Sequence, residues 1–318
     1  MGFGQGGGKA FARRVKSRLL YRHFRQNWNI AVTNHPVTAV AGLEGTRKQR
    51  DALSDLAWME ETRGTFAADP FIMPSGPNSQ DLTILYEHFD WDTEKGRICS
   101  VSFNRASKTF GRRQETFESD AHLSYPFLFD HDGRCLFLPE HSQSGDLSIY
   151  DIGGDGAIGD KHTVLPGTGL VDSTIVFWND RYWMFATLAG ERDNTHLHIF
   201  HAPDLMGPWK AHERNPVKVD RSNARPAGQP IIHQGALFRP AQDCVSHYGS
   251  GVVVNEVTVL TETDFAEKPV AEIRPDPGSR YDFGLHTISY ADGITVIDGA
   301  RLESRLHPAF DRLSSYLR

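Results

Sequence analysis

Short apolar segments alternate with polar turns along most of this chain, and one arrangement of them recurs. At residues 125–140 the sequence reads YPFLFDHDGRCLFLPE, and at residues 172–187 it reads DSTIVFWNDRYWMFAT. Each stretch is an apolar run rich in aromatic and β-branched residues, followed by a polar turn and a second apolar run. This pattern predicts a β-hairpin, because Asp-Gly and Asn-Asp suit the tight turns that join antiparallel strands.

The hairpin pattern occurs five times, with further copies at residues 68–89, 229–243 and 285–298. Equivalent positions lie 47 to 57 residues apart, and they are Pro70, Pro126, Ser173, Pro230 and His286. That period is typical of four-stranded propeller blades. We therefore predict an all-β fold, a five-bladed β-propeller. The strand at residues 27–32 is expected to join the last blade and close the ring, which removes an exposed sheet edge.

Helical spacing is confined to a few segments. They are a basic stretch near the N-terminus (KAFARRVKSRLLYRHFRQ), an internal stretch (TRKQRDALSDLAWMEE) and the C-terminal tail. The chain contains no linker-like stretch between the hairpins. The predicted organisation is therefore a basic N-terminal helical segment over residues 1–26 and a single propeller domain over residues 27–318.

Charge is distributed unevenly along the chain, whose formal net charge is −6. Residues 1–26 contain seven basic residues and no acidic one, which leaves 27 basic and 40 acidic residues, a net charge of −13, in the remainder. The basic helix is expected either to contact an anionic membrane surface or to pack on the acidic body. Because the body shows no basic stripe, a nucleic-acid partner is not expected.

Composition narrows the class of protein. No apolar run approaches the roughly 20 residues needed to span a bilayer, and the N-terminus lacks the apolar core of a secretory signal. The three cysteines are too few and too scattered for a disulfide framework, so a cytoplasmic location is expected. Histidine and cysteine spacings do not match a zinc motif, and the glycine-rich stretches do not match a phosphate-binding loop. We therefore expect no metal and no cofactor.

Polar residues stand where several of the apolar first strands begin. In a propeller these strands line the central channel and start at one face, so their first residues should meet at one mouth. The residues at the five starts are Asp69, Tyr125, Asp172, Gln229 and His286. Each second strand returns to the same face, which predicts an outer ring of Glu87, Glu140, Thr187 and Asp243.

Several stretches resemble the N-terminal domain of plant glucosamine inositolphosphorylceramide transferases. They extend from about residue 66 to residue 288 and include ADPF, HLSYPFLFDHDGR, VDSTIVFWNDRYWMFAT, ARPAGQP and GLHTI. The resemblance implies a propeller similar to glycosidases. The glycosyltransferase half of the plant proteins has no counterpart in these 318 residues, so the resemblance does not imply a transferase activity.

A more distant resemblance is to the five-bladed furanosidases of glycoside hydrolase family 43. It implies a general-base role for Asp69, a pKa-tuning role for Asp172 and a position near the channel for His286. The general-acid Glu-Gly-Pro of that family is replaced here by Ala227-Gly228-Gln229-Pro230. Glu140 is the best substitute acid, although a carboxylate at that position could instead pair with a neighbouring arginine.

The remaining candidates are polar groups expected near the mouth. Arg225, Arg239 and Gln242 could bind a carboxylate, a phosphate or sugar hydroxyls, or they could form structural ion pairs with blade carboxylates. Glu87, Tyr125, Gln229 and Asp243 complete the set of predicted substrate-binding residues, and the expected ligand is a carbohydrate or glycoconjugate. Each strand-start aspartate could alternatively cap nearby backbone amides.

Two functions remain open at this point. The first is a glycosidase-like enzyme that uses the carboxyl groups of Asp69, Asp172 and Glu140. The second is a non-catalytic module that binds a glycan or sugar-lipid and serves a separate glycosyltransferase. In either case Asp69→Asn and Asp172→Asn, which are nearly isosteric, are expected to remove turnover or binding without loss of stability.

Overall fold

A computed structural model describes residues 22–76, 79–153, 156–190 and 192–305. Residues 1–21 of the predicted basic helix and the C-terminal tail after residue 305 lie outside these ranges. Residues 24–26, the last of the predicted basic segment, are extended and begin the first strand. No helix within the described ranges is long and apolar enough to span a bilayer.

The strands form five antiparallel sheets, which are the five predicted blades. Blade one contains β3 (Thr65–Met73), β4 (Asp81–Asp90), β5 (Lys95–Asn104), β6 (Thr109–Phe110) and β7 (Gln114–Phe117). Blade two contains β8 (Ser124–His131), β9 (Arg134–Glu140), β10 (Leu147–Ile152) and β11 (Ile158–Leu165). Blade three contains β12 (Leu170–Phe177), β13 (Tyr182–Leu188), β14 (His196–Ala202), β15 (Lys210–Ala211) and β16 (Lys218–Val219). Blade four contains β17 (Ile231–His233), β18 (Ala236–Asp243), β19 (Gly251–Leu260) and β20 (Phe265–Ile273).

Blade five is assembled from strands far apart in the sequence. Its order is β21 (Ile288–Ala291), β22 (Ile294–Ser304), β1 (Phe24–Thr33) and β2 (Ala57–Trp58). The pairing of β1 with β22 is continuous from Phe24–Ser304 to Thr33–Thr295. This confirms that a strand around residues 27–32 completes the last blade, and it shows that the strand begins three residues earlier than expected.

The tight turns at the tips of four first hairpins follow from their sequences. Asp132-Gly133, Asn179-Asp180, Gln234-Gly235 and Asp292-Gly293 all have positive φ at both residues. Two consecutive positive φ angles define the type I′ turn, whose twist matches that of the flanking strands. Aspartate, asparagine and glycine tolerate this conformation better than other residues. The turn chemistry therefore sets the strand register of these hairpins.

Two helices, α1 (Val37–Val40) and α2 (Thr46–Ser54), lie between β1 and β2. The helix predicted over TRKQRDALSDLAWMEE is thus shorter than expected. After Ser54 the chain extends, and Ala57 and Trp58 pair with Val32 and Ala31 of β1. Tertiary pairing at the edge of blade five overrides the local helical spacing.

The apolar core is divided among the interfaces between blades. The largest cluster joins blades one, two and three and includes Phe71, Phe127 and Phe137. Separate clusters join blade five to blade four and blade five to blade one, with α1 packed against the first of these. Because the blades are held by these interfaces, the inner ends of the first strands keep fixed positions around one mouth.

Candidate functional site at the channel mouth

The first strands of blades one, two and three are interrupted at the same place. Asp69, Tyr125 and Asp172 have φ angles of 51°, 43° and 52°. At each of these points the register shifts, so that two residues of the first strand oppose one residue of the second. Such a β-bulge redirects side chains. These three residues are therefore equivalent in backbone geometry, as their positions in the repeat predict.

The second strands bring a further side chain to each bulge. Glu87 pairs with Ala68, Glu140 with Ser124 and Thr187 with Val171, in each case the residue just before the bulge. This is the outer ring expected for blades one to three. Glutamates from blades one and two thus approach the strand-start aspartates of blades one and three.

A cavity of about 240 Å³ lies at this mouth. Six of the predicted site residues line it, namely Asp69, Glu87, Glu140, Asp172, Arg225 and His286. The remaining walls are Trp28, Phe66, Ala68, Phe89, His122, Ser124 and Tyr248. The site therefore combines four carboxyl groups from three blades with an aromatic surface.

Asp172 is held by residues of blade four. Its Oδ2 accepts hydrogen bonds from Arg225 Nε at 2.6 Å and Gln242 Nε2 at 2.9 Å, and its Oδ1 accepts one from Arg225 Nη2 at 3.4 Å. The guanidinium also lies 5.1 Å from the centroid of the Tyr248 ring. Both carboxylate oxygens of Asp172 are therefore engaged by hydrogen bonds in the wall of the cavity.

Glu140 is one of the carboxyl groups of the cavity that hold a proton near neutral pH. Its Oε2 accepts a hydrogen bond from the Asp172 backbone amide at 3.4 Å, and its Oε1 accepts one from Ser142 Oγ at 3.2 Å. Burial raises the pKa of Glu140 to about 8, and the charge of Asp172 acts in the same direction. Near neutral pH the protonated form of Glu140 predominates.

Asp69 is in a more polar part of the cavity. Its Oδ1 accepts a hydrogen bond from Thr287 Oγ1 at 2.5 Å and lies 3.7 Å from His286 Nδ1. Burial raises the pKa of Asp69 to about 6, even though the nearby His286 opposes the shift. Asp69 is therefore mostly ionised at neutral pH, where Glu140 is mostly protonated.

Glu87 faces a histidine whose tautomer is set by the backbone. The Gly96 amide donates to His122 Nδ1 at 3.0 Å, so the ring proton of neutral His122 is on Nε2, which lies 3.4 Å from Glu87 Oε1. Burial lowers the pKa of His122. Burial and the neighbouring carboxylates Asp69 and Glu140 raise the pKa of Glu87 well above its usual range. A side chain at position 96 would come within 2.7 Å of Glu87 Oε1, which explains the glycine.

Asp298 is central to the site and was not among the predicted residues. It is fully buried, and its Oδ2 lies 2.5 Å from His286 Nδ1. It also accepts hydrogen bonds from the backbone amides of Asp69, His286 and Thr287. Asp298 thus positions the backbone of two strand starts at once. The signal was present in the sequence, because Asp298 is on the second strand of blade five, as Glu87 is on that of blade one.

The pair formed by His286 and Asp298 is the most polar part of the mouth. Burial disfavours the imidazolium form, but Asp298 and Asp69 outweigh this effect and raise the pKa of His286 above its ordinary value. One ligand atom from each of Asp69, His286 and Asp298 lies within 4.8 Å of the others, a grouping that could hold a metal ion. A proton on His286 also satisfies these three ligand atoms. The His286 ring is already hydrogen-bonded to Asp298, and Asp69 accepts a hydrogen bond from Thr287.

The aromatic walls of the cavity come from residues that the strand-start positions do not predict. Trp28 stacks on His286 with ring centroids 3.9 Å apart. Phe66 and Phe89 stack at 4.7 Å and form the opposite side. Sugar rings present apolar C–H faces that pack on aromatic rings. Trp28 and Tyr248 are on the closing strand and on a loop, where the sequence offers no signal for them.

Five predicted site residues do not line the cavity. Tyr125 is buried in the apolar core, and its hydroxyl oxygen accepts a hydrogen bond from the Gly228 amide at 2.6 Å. Arg239 pairs with Glu267 and donates to backbone carbonyls, while Asp243 pairs with Arg274 at 2.7 Å. Gln229 accepts from the Tyr290 amide. Gln242 lies behind the cavity wall and contacts it through Asp172.

Blade four departs from the common geometry at Gln229. At the start of the first strand of this blade, the residue with positive φ is Gly228, at 107°, one position before Gln229. A Cβ atom at Gly228 would lie 1.8 Å from the Ile288 carbonyl oxygen, so the first strands of blades four and five approach closely here. Blade four consequently presents Arg225 to the mouth and no carboxylate of its own.

Solved structures share this architecture. The chain aligns with an exo-β-1,3-galactanase from Clostridium thermocellum with a TM-score of 0.54, over 68% of this chain and 53% of that one, at 13% identity. It aligns with a β-1,3-galactosidase of glycoside hydrolase family 43 with a TM-score of 0.52, over 66% and 46% of the two chains, at 14% identity. At these identities the likeness shows the fold alone. The molecule is a five-bladed propeller of the architecture found in family 43 glycosidases.

Sequence comparison identifies the family. The chain belongs to the glucosamine inositolphosphorylceramide transferase 1 N-terminal family, whose profile matches residues 56–279. Curated relatives include glucosamine inositolphosphorylceramide transferase 1 of Arabidopsis thaliana, 28% identical over 253 residues, and that of Oryza sativa subsp. japonica, 30% identical over 210 residues. These matches cover 75% and 64% of this chain but only 33% and 28% of the relatives. The chain therefore spans about a third of their length.

Proposed function

We propose that this protein acts on a glycosidic bond of a glycan or glycoconjugate, with Glu140 as the proton donor and Asp69 as the proton acceptor. The observation that supports the proposal is one aromatic-walled cavity in which two carboxyl groups have pKa values on opposite sides of neutrality. Glycoside hydrolysis needs such a pair, one member protonated and the other ionised. Family membership and the shared architecture also favour a carbohydrate ligand.

The roles of the groups follow from their surroundings. Glu140 transfers its proton to the leaving glycosidic oxygen while the C–O bond breaks. Asp69 accepts a proton from the water, or from another hydroxyl, that attacks the anomeric carbon. Asp172 keeps Glu140 protonated through its charge, and Asp298 positions the backbone at Asp69 and the ring of His286.

The pH dependence of turnover tests this assignment. We expect kcat/KM to rise with a pKa near 6, as Asp69 ionises, and to fall with a pKa near 8, as Glu140 loses its proton. Glu140→Gln should lower kcat/KM by about 10²–10⁴-fold and remove the alkaline limb. Nitrophenyl glycosides, whose leaving group needs little protonation, should restore much of the rate to Glu140→Gln but not to Asp69→Asn.

Asp132→Asn is the matched control, because Asp132 has a φ angle of 53° like Asp69 but is exposed at a hairpin tip. It should behave as the parent protein does. The assignment is wrong if activity towards a panel of natural and activated glycosides is equal in the parent, Glu140→Gln and Asp69→Asn.

One observation favours the alternative of a non-catalytic binding module. Blade four supplies Arg225 in place of a carboxylate, and both oxygens of Asp172 are engaged by Arg225. In this alternative the cavity binds a sugar or sugar-lipid and presents it to a separate glycosyltransferase. Sugar binding that is abolished by Asp69→Asn, with no turnover of any glycoside by the parent, would select this function.

The basic N-terminal segment supports a further proposal about location. Seven basic residues and no acid within residues 1–26 favour peripheral contact of a cytoplasmic protein with an anionic membrane. Deletion of residues 1–21 leaves β1 intact and should abolish salt-sensitive binding to phosphatidylserine liposomes. If the full chain does not bind these liposomes at low salt, the proposal fails.

A further inference from the structure

A second and larger cavity, of about 610 Å³, lies between blade five and blade one. We call it the interblade cleft. One side is formed by β1 and by the segment 59–63, and the other by β3, β4 and the segment 110–113. Trp28 and Phe66 line both this cleft and the acidic cavity at the mouth. The two cavities are therefore neighbours that share two aromatic walls.

The charge of the cleft is opposite to that of the mouth. Three arginines line it, Arg63, Arg112 and Arg113, whereas four carboxyl groups line the neighbouring cavity. Within the described part of the chain, neither Arg63 nor Arg112 has an ion-pair or hydrogen-bond partner, and both are exposed. Their guanidinium groups are thus available to a ligand.

The acidic residues of the cleft do not cancel this charge. Glu61 is already engaged by Arg301 at 2.9 Å and Arg280 at 2.5 Å, and it accepts a hydrogen bond from the Tyr281 hydroxyl. Glu60 is the remaining carboxylate in the lining. Three arginines that are not paired with a carboxylate therefore face one free carboxylate.

Arg113 is held in place by a buried neutral histidine. Its Nη1 donates to His88 Nε2 at 2.8 Å, and His88 is only 6% exposed. Burial, assisted by Arg113, lowers the pKa of His88 to about 4, so the ring accepts this hydrogen bond without competing for an anion. The other donor hydrogens of the Arg113 guanidinium remain available to the cleft.

Tyr86 adds a buried donor to the same cavity. Its side chain is 1% exposed and lines the cleft, and its hydroxyl has no hydrogen-bond partner among the described residues. Burial raises the pKa of Tyr86, so the hydroxyl keeps its proton. The hydroxyl is not one of the fully buried atoms that lack a partner, so it is open to the cleft and can donate to a ligand there.

Both rims of the cleft are anchored to strands. The Gly111 amide donates to the Ser102 carbonyl at 2.8 Å, which fixes the segment that bears Arg112 and Arg113. On the other rim the Met59 amide donates to the Ile30 carbonyl at 3.0 Å, and Asn29 Nδ2 donates to the Met59 carbonyl at 2.6 Å. The donors are thus presented by fixed backbone.

We propose that the interblade cleft is an anion subsite that binds a phosphate group of the glycoconjugate whose sugar occupies the neighbouring acidic cavity. Arg63, Arg112 and Arg113 supply charge-assisted hydrogen bonds to the phosphate oxygens, and the Tyr86 hydroxyl donates another. The link to a sugar rests on the proposed function, whereas phosphate binding by the cleft does not. The phosphate could belong to a soluble sugar phosphate or to a lipid headgroup, and the experiment below separates these sources.

The test compares ligands and variants of the full chain at low ionic strength by isothermal titration calorimetry. The ligands are inorganic phosphate, a panel of free hexoses and the corresponding hexose 1-phosphates. The cleft variants are Arg63→Gln/Arg112→Gln, which changes only exposed unpaired groups, and the isosteric Tyr86→Phe. The matched control is Arg47→Gln/Arg50→Gln, two exposed arginines on α2.

We expect one hexose 1-phosphate to bind at least about tenfold more tightly than its hexose, because each charge-assisted hydrogen bond contributes about that factor or more. Arg63→Gln/Arg112→Gln should weaken its binding about a hundredfold and Tyr86→Phe about fivefold, and the control should not change it. Phosphatidylinositol vesicles, with phosphatidylcholine vesicles as reference, identify a lipid source if their binding is also lost in the cleft variants.

The outcomes separate this inference from the proposed function. Phosphate binding that is equal in the parent and the cleft variants would overturn the subsite. Asp69→Asn should weaken hexose binding and leave inorganic phosphate binding unchanged, because the two cavities are distinct. If the cleft binds inorganic phosphate but sugar phosphates show no advantage over phosphate in any variant, the link between the two cavities is wrong.

Discussion

Asp69, Tyr125 and Asp172 occupy the same bulge in three consecutive blades, yet each does something different. Tyr125 points into the core and caps the Gly228 amide, Asp172 is paired with Arg225, and Asp69 lines the cavity beside Thr287 and His286. The backbone geometry is repeated, but the chemistry is set by what the neighbouring blade presents. A repeat position therefore identifies where a functional group can be placed, and the adjacent blade decides its charge state.

The largest expected effect is at Asp172. Asp172→Asn removes the nearest carboxylate partner of the buried Arg225 and leaves only the longer contact with Asp193 at 3.5 Å, and loss of one member of such a buried pair costs about 3–5 kcal/mol of stability. The expectation from sequence alone, that this substitution spares stability, is therefore contradicted by the pairing with Arg225. Chemical denaturation would measure the change in the free energy of unfolding.

The double variant Asp172→Asn/Arg225→Gln sharpens this result. If the pair acts as described, the double variant should be less destabilised than the sum of the two single variants, since neither charge is then left unpaired. Strict additivity would mean that Asp172 and Arg225 do not interact in solution.

The intermediate effect is at Tyr125. Tyr125→Phe removes the acceptor of the Gly228 amide and leaves that buried group unsatisfied, which should cost about 1–3 kcal/mol. The apolar contacts of the ring with Phe71 are retained. Phe137→Leu, a conservative change in the same core cluster, provides the reference for loss of packing alone. Wild-type stability of Tyr125→Phe would show that the hydroxyl is not structural.

The smallest effect is at Asp69, and it depends on pH. Because the folded-state pKa of Asp69 is about 6 and its ordinary value is 3.8, the folded protein binds an extra proton between these values. This contribution to stability is lost as pH rises from about 4 to about 6. Asp69→Asn should therefore show a smaller fall in Tm than the parent between pH 4.5 and 6.5.

Glu140→Gln extends the same comparison to higher pH. The folded-state pKa of Glu140 is about 8, so its contribution to stability is lost as pH rises towards that value. Parallel Tm profiles for the parent and Asp69→Asn would contradict the raised pKa of Asp69.

Most of the fold follows from local sequence. Turns such as Asp132-Gly133 and Asp292-Gly293 set hairpin registers by themselves, and the hairpin period then gives the blade number. The C-terminal end of α2 could not be predicted from local sequence, because Ala57 and Trp58 pair with β1 instead of continuing the helix. Long-range pairing, which leaves no local pattern, decides where that helix ends.

The site was predictable where it depends on strand direction and unpredictable where it depends on neighbours. Asp69, Asp172, Glu87 and Glu140 line the cavity because consecutive strands begin and end at one face. Arg239 and Asp243 are on the second strand of blade four, but Glu267 of β20 and Arg274, which follows β20, pair with them. Trp28 contributes a wall from the strand that closes the ring, and Tyr248 contributes one from the loop between β18 and β19, so the strand-start positions predict neither residue.

Ring closure between β1 and β22 also bears on when the residues of the cavity come together during synthesis of the chain. Trp28 is on the first strand to be synthesised, whereas His286 and Asp298 are near the end of the described chain, and all three must meet for the cavity to exist. A nascent chain that has reached Leu260 contains Asp69, Glu140 and Asp172, but not the residues that position Asp69. The cavity is therefore complete only after the last blade has paired with β1.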